Sequence, residues 1–278
     1  VGGETAPMTA WRALADWRRD AQRVRSSETG AMPPPDAALL PGTCGLCGAT
    51  GGFACGAGLR DPREGLRCLA CGCNARQRAA AAAALSALPA PRAAKVYITE
   101  QASPLFLVLR GAVGNLAGSE YPSGFWKRLR LSVWLWRHGV PAWVDRQDVT
   151  ALGFADARFD CLVSLDVLEH VPDHRAALRE FSRILAPGGR LVLTVPFYEG
   201  AAATATIAHL RGDGTVEFDG APEYHGDPLG GGVPCFHHFG WDLLQDLHET
   251  GFVEAEACRM RDRAAGLPQG VWVIRATR

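Results

Sequence analysis

The sequence has no surplus of charge of either sign: 29 Lys and Arg balance 29 Asp and Glu over 278 residues. That balance argues against a dedicated nucleic-acid coat or a polybasic membrane binder. No apolar run reaches about 18 uncharged residues, so no transmembrane helix is expected. The opening residues, Val1-Gly-Gly-Glu4, lack the basic-then-apolar plan of a secretory leader. The dispersed, even set of cysteines that a disulfide framework needs is also missing, because six of the nine fall between Cys44 and Cys73. An odd, clustered set fits a metal site in a reducing compartment, and the expected location is the cytoplasm. What is present is 47% hydrophobic residues, enough for a sizeable core in one domain of about 180–200 residues with a small appendage. The neutral total hides an asymmetry. Residues 1–95 hold 12 basic against 7 acidic side chains, and residues 96–278 hold 17 against 22.

Met8, Trp11, Leu14 and Trp17 recur at spacings of three, which predicts a short amphipathic helix over 8–25 docking by its Trp face. Residues 26–42 read as a linker stiffened by three consecutive prolines. Cys44-x-x-Cys47 and Cys68-x-x-Cys71 stand 20 residues apart, each a turn presenting two thiolates to one metal. Together they predict a closed tetrahedral zinc site in a module over 43–79, with Cys55 and Cys73 as spares. Some 35 residues with almost no core need such a crosslink to fold, so this zinc is structural. Arg76–Leu88 is Ala-rich and helical by propensity.

From Ala93 onward strands and helices alternate. Strands are expected at Lys95–Thr99, Asn115–Ser119, Phe159–Leu165, Arg190–Val195, Phe252–Ala257 and Gly270–Ala276, and helices at Leu105–Arg110, His174–Leu185 and Trp241–Thr250. Such alternation implies parallel pairing through right-handed crossovers. The last two strands have only a loop between them, which suits an antiparallel final strand. The fold class is therefore α/β, a doubly wound, mostly parallel sheet over 90–278 behind a small N-terminal zinc ribbon, with a ligand crevice at the carboxyl ends of the strands.

The run from Asp148 to Phe197 resembles the central motifs of class I S-adenosylmethionine-dependent methyltransferases, which have a Rossmann-like fold. Phe159-Asp160 opens a strand that ends at Ser164-Leu165-Asp166, and Arg183-Ile-Leu-Ala-Pro-Gly-Gly189 forms the turn before the next. The resemblance implies S-adenosylmethionine as cofactor, Asp148 facing the adenine amino group and Asp166 beside the cofactor. Glu100 ends the first strand and Glu120 the second, twenty residues on, the spacing at which dinucleotide folds place a ribose-binding carboxylate. The first loop departs from the family's glycine-rich pattern and reads Glu100-Gln101-Ala102-Ser103-Pro104. Ser103 and Pro104 still make a good helix N-cap and first helical residue, and Gln101 and Ser103 become candidates to hydrogen-bond the methionyl end. Thr99-Glu-Gln101 and Gly118-Ser-Glu-Tyr121 also resemble zinc-ribbon methyltransferases of bacterial biosynthetic type.

Methyl transfer needs alignment, exclusion of water and removal of a proton. The candidates are His170, Tyr224, His225 and His237. Asp166, Glu169, His170 and His237 could form a second, divalent-metal site, as in the small-RNA 2′-hydroxyl and ubiquinone-pathway O-methyltransferases that carry a similar turn; alternatively Glu169-His170 is a structural turn of the fold. Tyr198–His238 is an insertion, with a hairpin signal at Gly212-Asp-Gly214 and a glycine-rich arm at Leu229-Gly-Gly-Gly-Val233, suited to be a substrate lid over 198–238. Phe125–Trp136 mixes aromatic and basic residues and is expected to pack on the sheet edge. The resulting expectation is O-methylation of a small molecule in bacterial secondary or glycan metabolism, with no nucleic-acid or membrane partner. The rivals are an RNA methyltransferase gripping RNA by its zinc ribbon, or a non-methylating homologue.

Overall fold

Seven strands form one sheet in the order β6-β5-β7-β8-β16-β15-β1 in the computed structural model, which describes residues 8–28, 38–55, 61–122, 124–226 and 232–278. Most of the proline linker and the core of the glycine-rich arm lie outside these residues. The strands are β1 (Met8–Trp11), β5 (Lys95–Ile98), β6 (Asn115–Gly118), β7 (Phe159–Leu165), β8 (Leu185–Thr194), β15 (Glu254–Asp262) and β16 (Leu267–Thr277). The four strands from β6 to β8 are parallel, whereas β16 runs antiparallel between β8 and β15. Helices cover both faces: α1 (Leu14–Glu28), α3 (Ala75–Ser86), α4 (Pro104–Ala112), α5 (Phe125–Arg137), α6 (His174–Ile184) and α7 (Leu243–Glu249).

The start of the chain departs from the expected single helix. Met8–Trp11 is an edge strand on β15, and the helix begins only at Leu14. The spacing of three is met differently by each half: Trp11 ends the strand and Trp17 lies one turn into the helix, with ring centroids 5.0 Å apart. Trp17 also meets Trp272 of β16 edge-on at 5.0 Å. With 1% exposure, Trp17 is among the largest fully buried side chains. Trp17→Ala is expected to lower stability by about 3–5 kcal/mol, read as a drop in urea midpoint with unchanged slope.

Helix α3 opens with a capping box between Asn74 and Gln77 and then buries Ala79, Ala80, Ala81, Ala83 and Ala84. The small side chains let it lie close on β7, β8 and β16. The Ala-rich segment is thus a layer of the α/β body, as β1 and α1 ahead of the cysteine module are too.

The cysteine module folds as a three-stranded sheet of β2 (Leu39–Leu40), β3 (Phe53–Cys55) and β4 (Leu66–Cys68), with the short helix α2 (Pro62–Gly65) between its last two strands. It is tied to the body by Arg78 of α3, whose guanidinium donates to the carbonyls of Leu66, Cys73 and Gly266.

The insertion after β8 is built of three small antiparallel pairs. They are β9 (Ala205–Thr206) with β14 (His237–His238), β10 (Ala208–Leu210) with β11 (Val216–Phe218), and β12 (Tyr224–His225) with β13 (Val233–Pro234). The middle pair turns at Gly214 (φ 84°), the expected hairpin. Helix α5 buries Ser132 and Leu135 and leaves Phe125 and Trp126 largely exposed.

Candidate functional site

Four thiols gather first. The Sγ atoms of Cys44, Cys47, Cys68 and Cys71 lie within 4.8 Å of one another, with Cys44 to Cys71 at 4.0 Å and Cys47 to Cys68 at 3.7 Å. A tetrahedral ZnS4 centre with Zn–S bonds of about 2.3 Å has S···S edges of about 3.8 Å, so the cluster fits a zinc ion. Each knuckle closes on a glycine in the left-handed region, Gly48 (φ 76°) after Cys47 and Gly72 (φ 73°) after Cys71. Neither spare joins them: Cys73 is buried against the body and Cys55 faces the carbonyl of Phe53.

The second gathering is at the carboxyl ends of β5, β6 and β7. Glu120 follows β6, and its Oε1 accepts the backbone N–H of Ala102 at 2.7 Å. Burial pushes its carboxyl up to about 7, and the amides of Ala102 and Gln101 oppose that rise. Gln101 is buried, its Oε1 accepting the N–H of Asp145 at 2.7 Å, and Ser103 caps α4 by accepting from Phe106 N. Gly118 makes this closeness possible, since a Cβ there would meet the Phe106 ring at 2.7 Å. Arg146 bridges to Glu120 in parallel, and Asp148 follows two residues later along the same rim. Its carboxylate accepts the N–H and hydroxyl of Thr150.

Glu100 accepts from Gln77 Nε2 at 2.9 Å, and burial raises its carboxyl above the usual range despite the nearby Arg76. Asp166 sits at φ 50°, held by the hydroxyl of Thr194 and by two guanidinium groups, Arg63 of α2 and Arg76 of α3. Burial pushes Asp166 up, but Arg76 and Arg63 outweigh it and hold the carboxyl below its usual range. Glu64 pairs with the same two arginines. Arg63 and Arg76 were not expected from the sequence. The one signal was polar residues at the start of an otherwise alanine helix.

The third gathering corrects the expected second metal set. His237 is buried, but its Nε2 faces the carbonyls of Val171 and Pro172 and its ring packs on His174. Asp166 is committed to the arginines. The side chain that meets Glu169 and His170 is His225, from β12. Tyr224 is exposed, its ring 5.4 Å from Phe218. A cavity of 380 Å³ opens beyond the end of β8, lined among others by Arg63, Phe197, Tyr198, Arg259, Gln269 and Trp272.

Residues 126–193 match the family described as "Methyltransferase domain". This stretch of the chain is similar to a methyltransferase domain. The matched stretch runs from α5 through β8 and includes Asp148, Asp166 and the Glu169-His170 turn. The chain is similar to 27-O-demethylrifamycin SV methyltransferase of Amycolatopsis mediterranei, 37% identical over 81 residues that cover 28% of this chain and 30% of that protein. It is also similar to O-methyltransferase rstn1 of Aspergillus nomiae, 32% identical over 112 residues that cover 40% of this chain and 42% of that protein. The chain thus spans less than half the length of these curated relatives. Among solved structures, Burkholderia thailandensis 1,6-didemethyltoxoflavin-N1-methyltransferase, with bound 1,6-didemethyltoxoflavin and S-adenosylhomocysteine, is 20% identical with a TM-score of 0.45, covering 73% of this chain and 78% of that one. No helix among the described residues is long and apolar enough to cross a membrane.

Proposed function

We propose that the protein transfers a methyl group from S-adenosylmethionine to a small molecule, an O-methylation in bacterial secondary or glycan metabolism. The observation that carries this reading is Glu120, a half-buried carboxylate at the end of β6 whose two backbone donors leave acceptor sites for a pair of ribose hydroxyls. Asp148, on the neighbouring rim segment, suits the adenine amino group. Arg76 is largely buried and its Nη1 has no hydrogen-bond partner among the described residues, so a carboxylate such as that of the methionyl end fits it. When bound, the cofactor supplies an electrophilic methyl on a sulfonium centre.

The protein's own part is alignment and exclusion of water. The cavity beyond β8 carries the aromatic walls of Phe197, Tyr198 and Trp272, which suits a flat or apolar acceptor. The insertion over 198–238 acts as its lid. Cys44, Cys47, Cys68 and Cys71 hold one structural zinc ion and so fix α2, from which Arg63 reaches the crevice. None of the nine cysteines is in a disulfide, and the cytoplasm is the proposed location.

Calorimetry with S-adenosylhomocysteine tests the reading directly. Micromolar, one-to-one binding is expected; absence of binding by the zinc-loaded chain would remove the enzymatic interpretation.

A further inference from the structure

We infer that Glu169, His170 and His225 bind one first-row divalent cation at a site separate from the four thiolates. Glu169 is fully buried, at 0% exposure, and neither of its carboxylate oxygens has a hydrogen-bond partner among the described residues. Two imidazoles face it, and their partners fix which nitrogen each presents. His170 Nδ1 lies 2.8 Å from the carbonyl oxygen of Pro234. A carbonyl only accepts, so Nδ1 carries the proton and Nε2 turns its lone pair toward Glu169 Oε1, 4.0 Å away. His225 Nε2 lies 3.1 Å from Glu223 Oε1, so it is the donor there. Its Nδ1 lone pair then faces the same Glu169 oxygen at 3.8 Å.

Three acceptors therefore converge, with their ligand atoms all within 4.8 Å of one another. A buried carboxylate facing two lone pairs is unfavourable unless a positive charge joins it. Asp166 adds a further negative neighbour. A cation satisfies all three groups at once. The outer partners are also those that metal-bound imidazoles use, a backbone carbonyl behind His170 and a carboxylate behind His225. One carboxylate and two imidazoles form a borderline donor set, suited to Mn2+, Fe2+, Co2+, Ni2+ or Zn2+, and three protein ligands leave coordination positions open. The donors stand wider than a bound cation requires, so binding draws them inward. His225 belongs to the insertion, and Glu169 and His170 to the turn after β7, so the ion would latch the insertion onto the sheet.

The test uses the full chain with its thiolate-bound zinc in place. Mn2+ is the probe, because oxygen and nitrogen donors take it and a thiolate cluster favours softer ions. Paramagnetic resonance should show one Mn2+ bound per chain, and Mn2+ should raise the melting temperature. Glu169→Gln should weaken that binding at least 100-fold. Without Mn2+ the same variant should melt no lower than the parent, because the amide removes an unpaired buried charge. His225→Ala, on the partly exposed β12, should lose the Mn2+-dependent rise in melting temperature while keeping the parent's melting temperature in its absence. The inference is overturned if the parent chain takes up no Mn2+, Co2+ or Zn2+ beyond the thiolate-held ion, or if Mn2+ binding survives either substitution unchanged. No methyl transfer is read in these measurements, so the result stands apart from the proposed activity.

Discussion

Glu120→Gln weakens S-adenosylhomocysteine binding by about 100-fold or more at pH 8. The expected size follows from losing two hydrogen bonds to a charged acceptor, each contributing about 1.5–3 kcal/mol. The amide keeps the volume of the side chain, so the body of the domain stays folded. The pH dependence carries a sign that a structural role would not give. The folded-state carboxyl is pushed up to about 7 by burial. Ribose hydroxyls donate best to the ionised form, so affinity for the parent chain should rise as pH passes upward through about 7, and the Gln variant should be flat.

Stability moves the other way. An acid whose folded pKa is raised binds its proton more tightly when folded, so stability declines as pH climbs from about 4.5 toward about 7 and levels off above. Glu120→Gln removes that decline, and at pH 8 it should be more stable than the parent by about 1–3 kcal/mol, after discounting 1.36 kcal/mol per pKa unit for partial exposure. An unchanged affinity in the variant, measured by calorimetry at pH 6 and pH 8, would remove Glu120 from the cofactor site.

Chelation of the thiolate-held zinc, or Cys68→Ser, should lower the melting temperature by roughly 10 °C or more, because structural zinc contributes about 10–16 kcal/mol to folding in small modules. The loss should not stay inside the module. Arg78 joins Leu66 and Cys73 to Gly266 on the loop between β15 and β16, and Thr43 N donates to Ala264 O on the same loop. Arg63 and Glu64, both on α2, meet Asp166 and Arg76 beyond the end of β7. Removal of the metal is therefore expected to weaken S-adenosylhomocysteine binding as well as to unfold the sheet of β2, β3 and β4. Full loss of bound zinc with an unchanged melting curve would show that the cysteines only pack.

What could be read from the sequence was what lies close together along it. The two Cys-x-x-Cys turns contain most of their own geometry, and the stretch from Asp148 to Gly189 carries strand ends and turns whose residues are dictated locally. Glu120 was legible because one spacing, from Glu100, encodes a parallel strand–helix–strand unit. The missed features depend on distant segments meeting. Arg63 and Asp166 are 103 residues apart, and nothing in Pro62–Gly65 announces where its side chains will point. His225 and His237 lie in one insertion of short strands, and only the pairing of β12 with β13 and of β9 with β14 decides which imidazole reaches Glu169. The positive excess of the first 95 residues has a similar explanation. Arg25, Arg63 and Arg76 meet Glu199 and Asp166 of the negative remainder.

The strand β1 also has a bearing on how the protein behaves at high concentration. It occupies the outer hydrogen-bonding row of β15, a nine-residue strand that would otherwise be the last of the sheet. Long bare edges recruit other extended chains. The four residues Met8–Trp11 therefore work as a built-in guard against self-association, and the tryptophan pair that fastens them makes solubility depend on the same contact that stabilises the core.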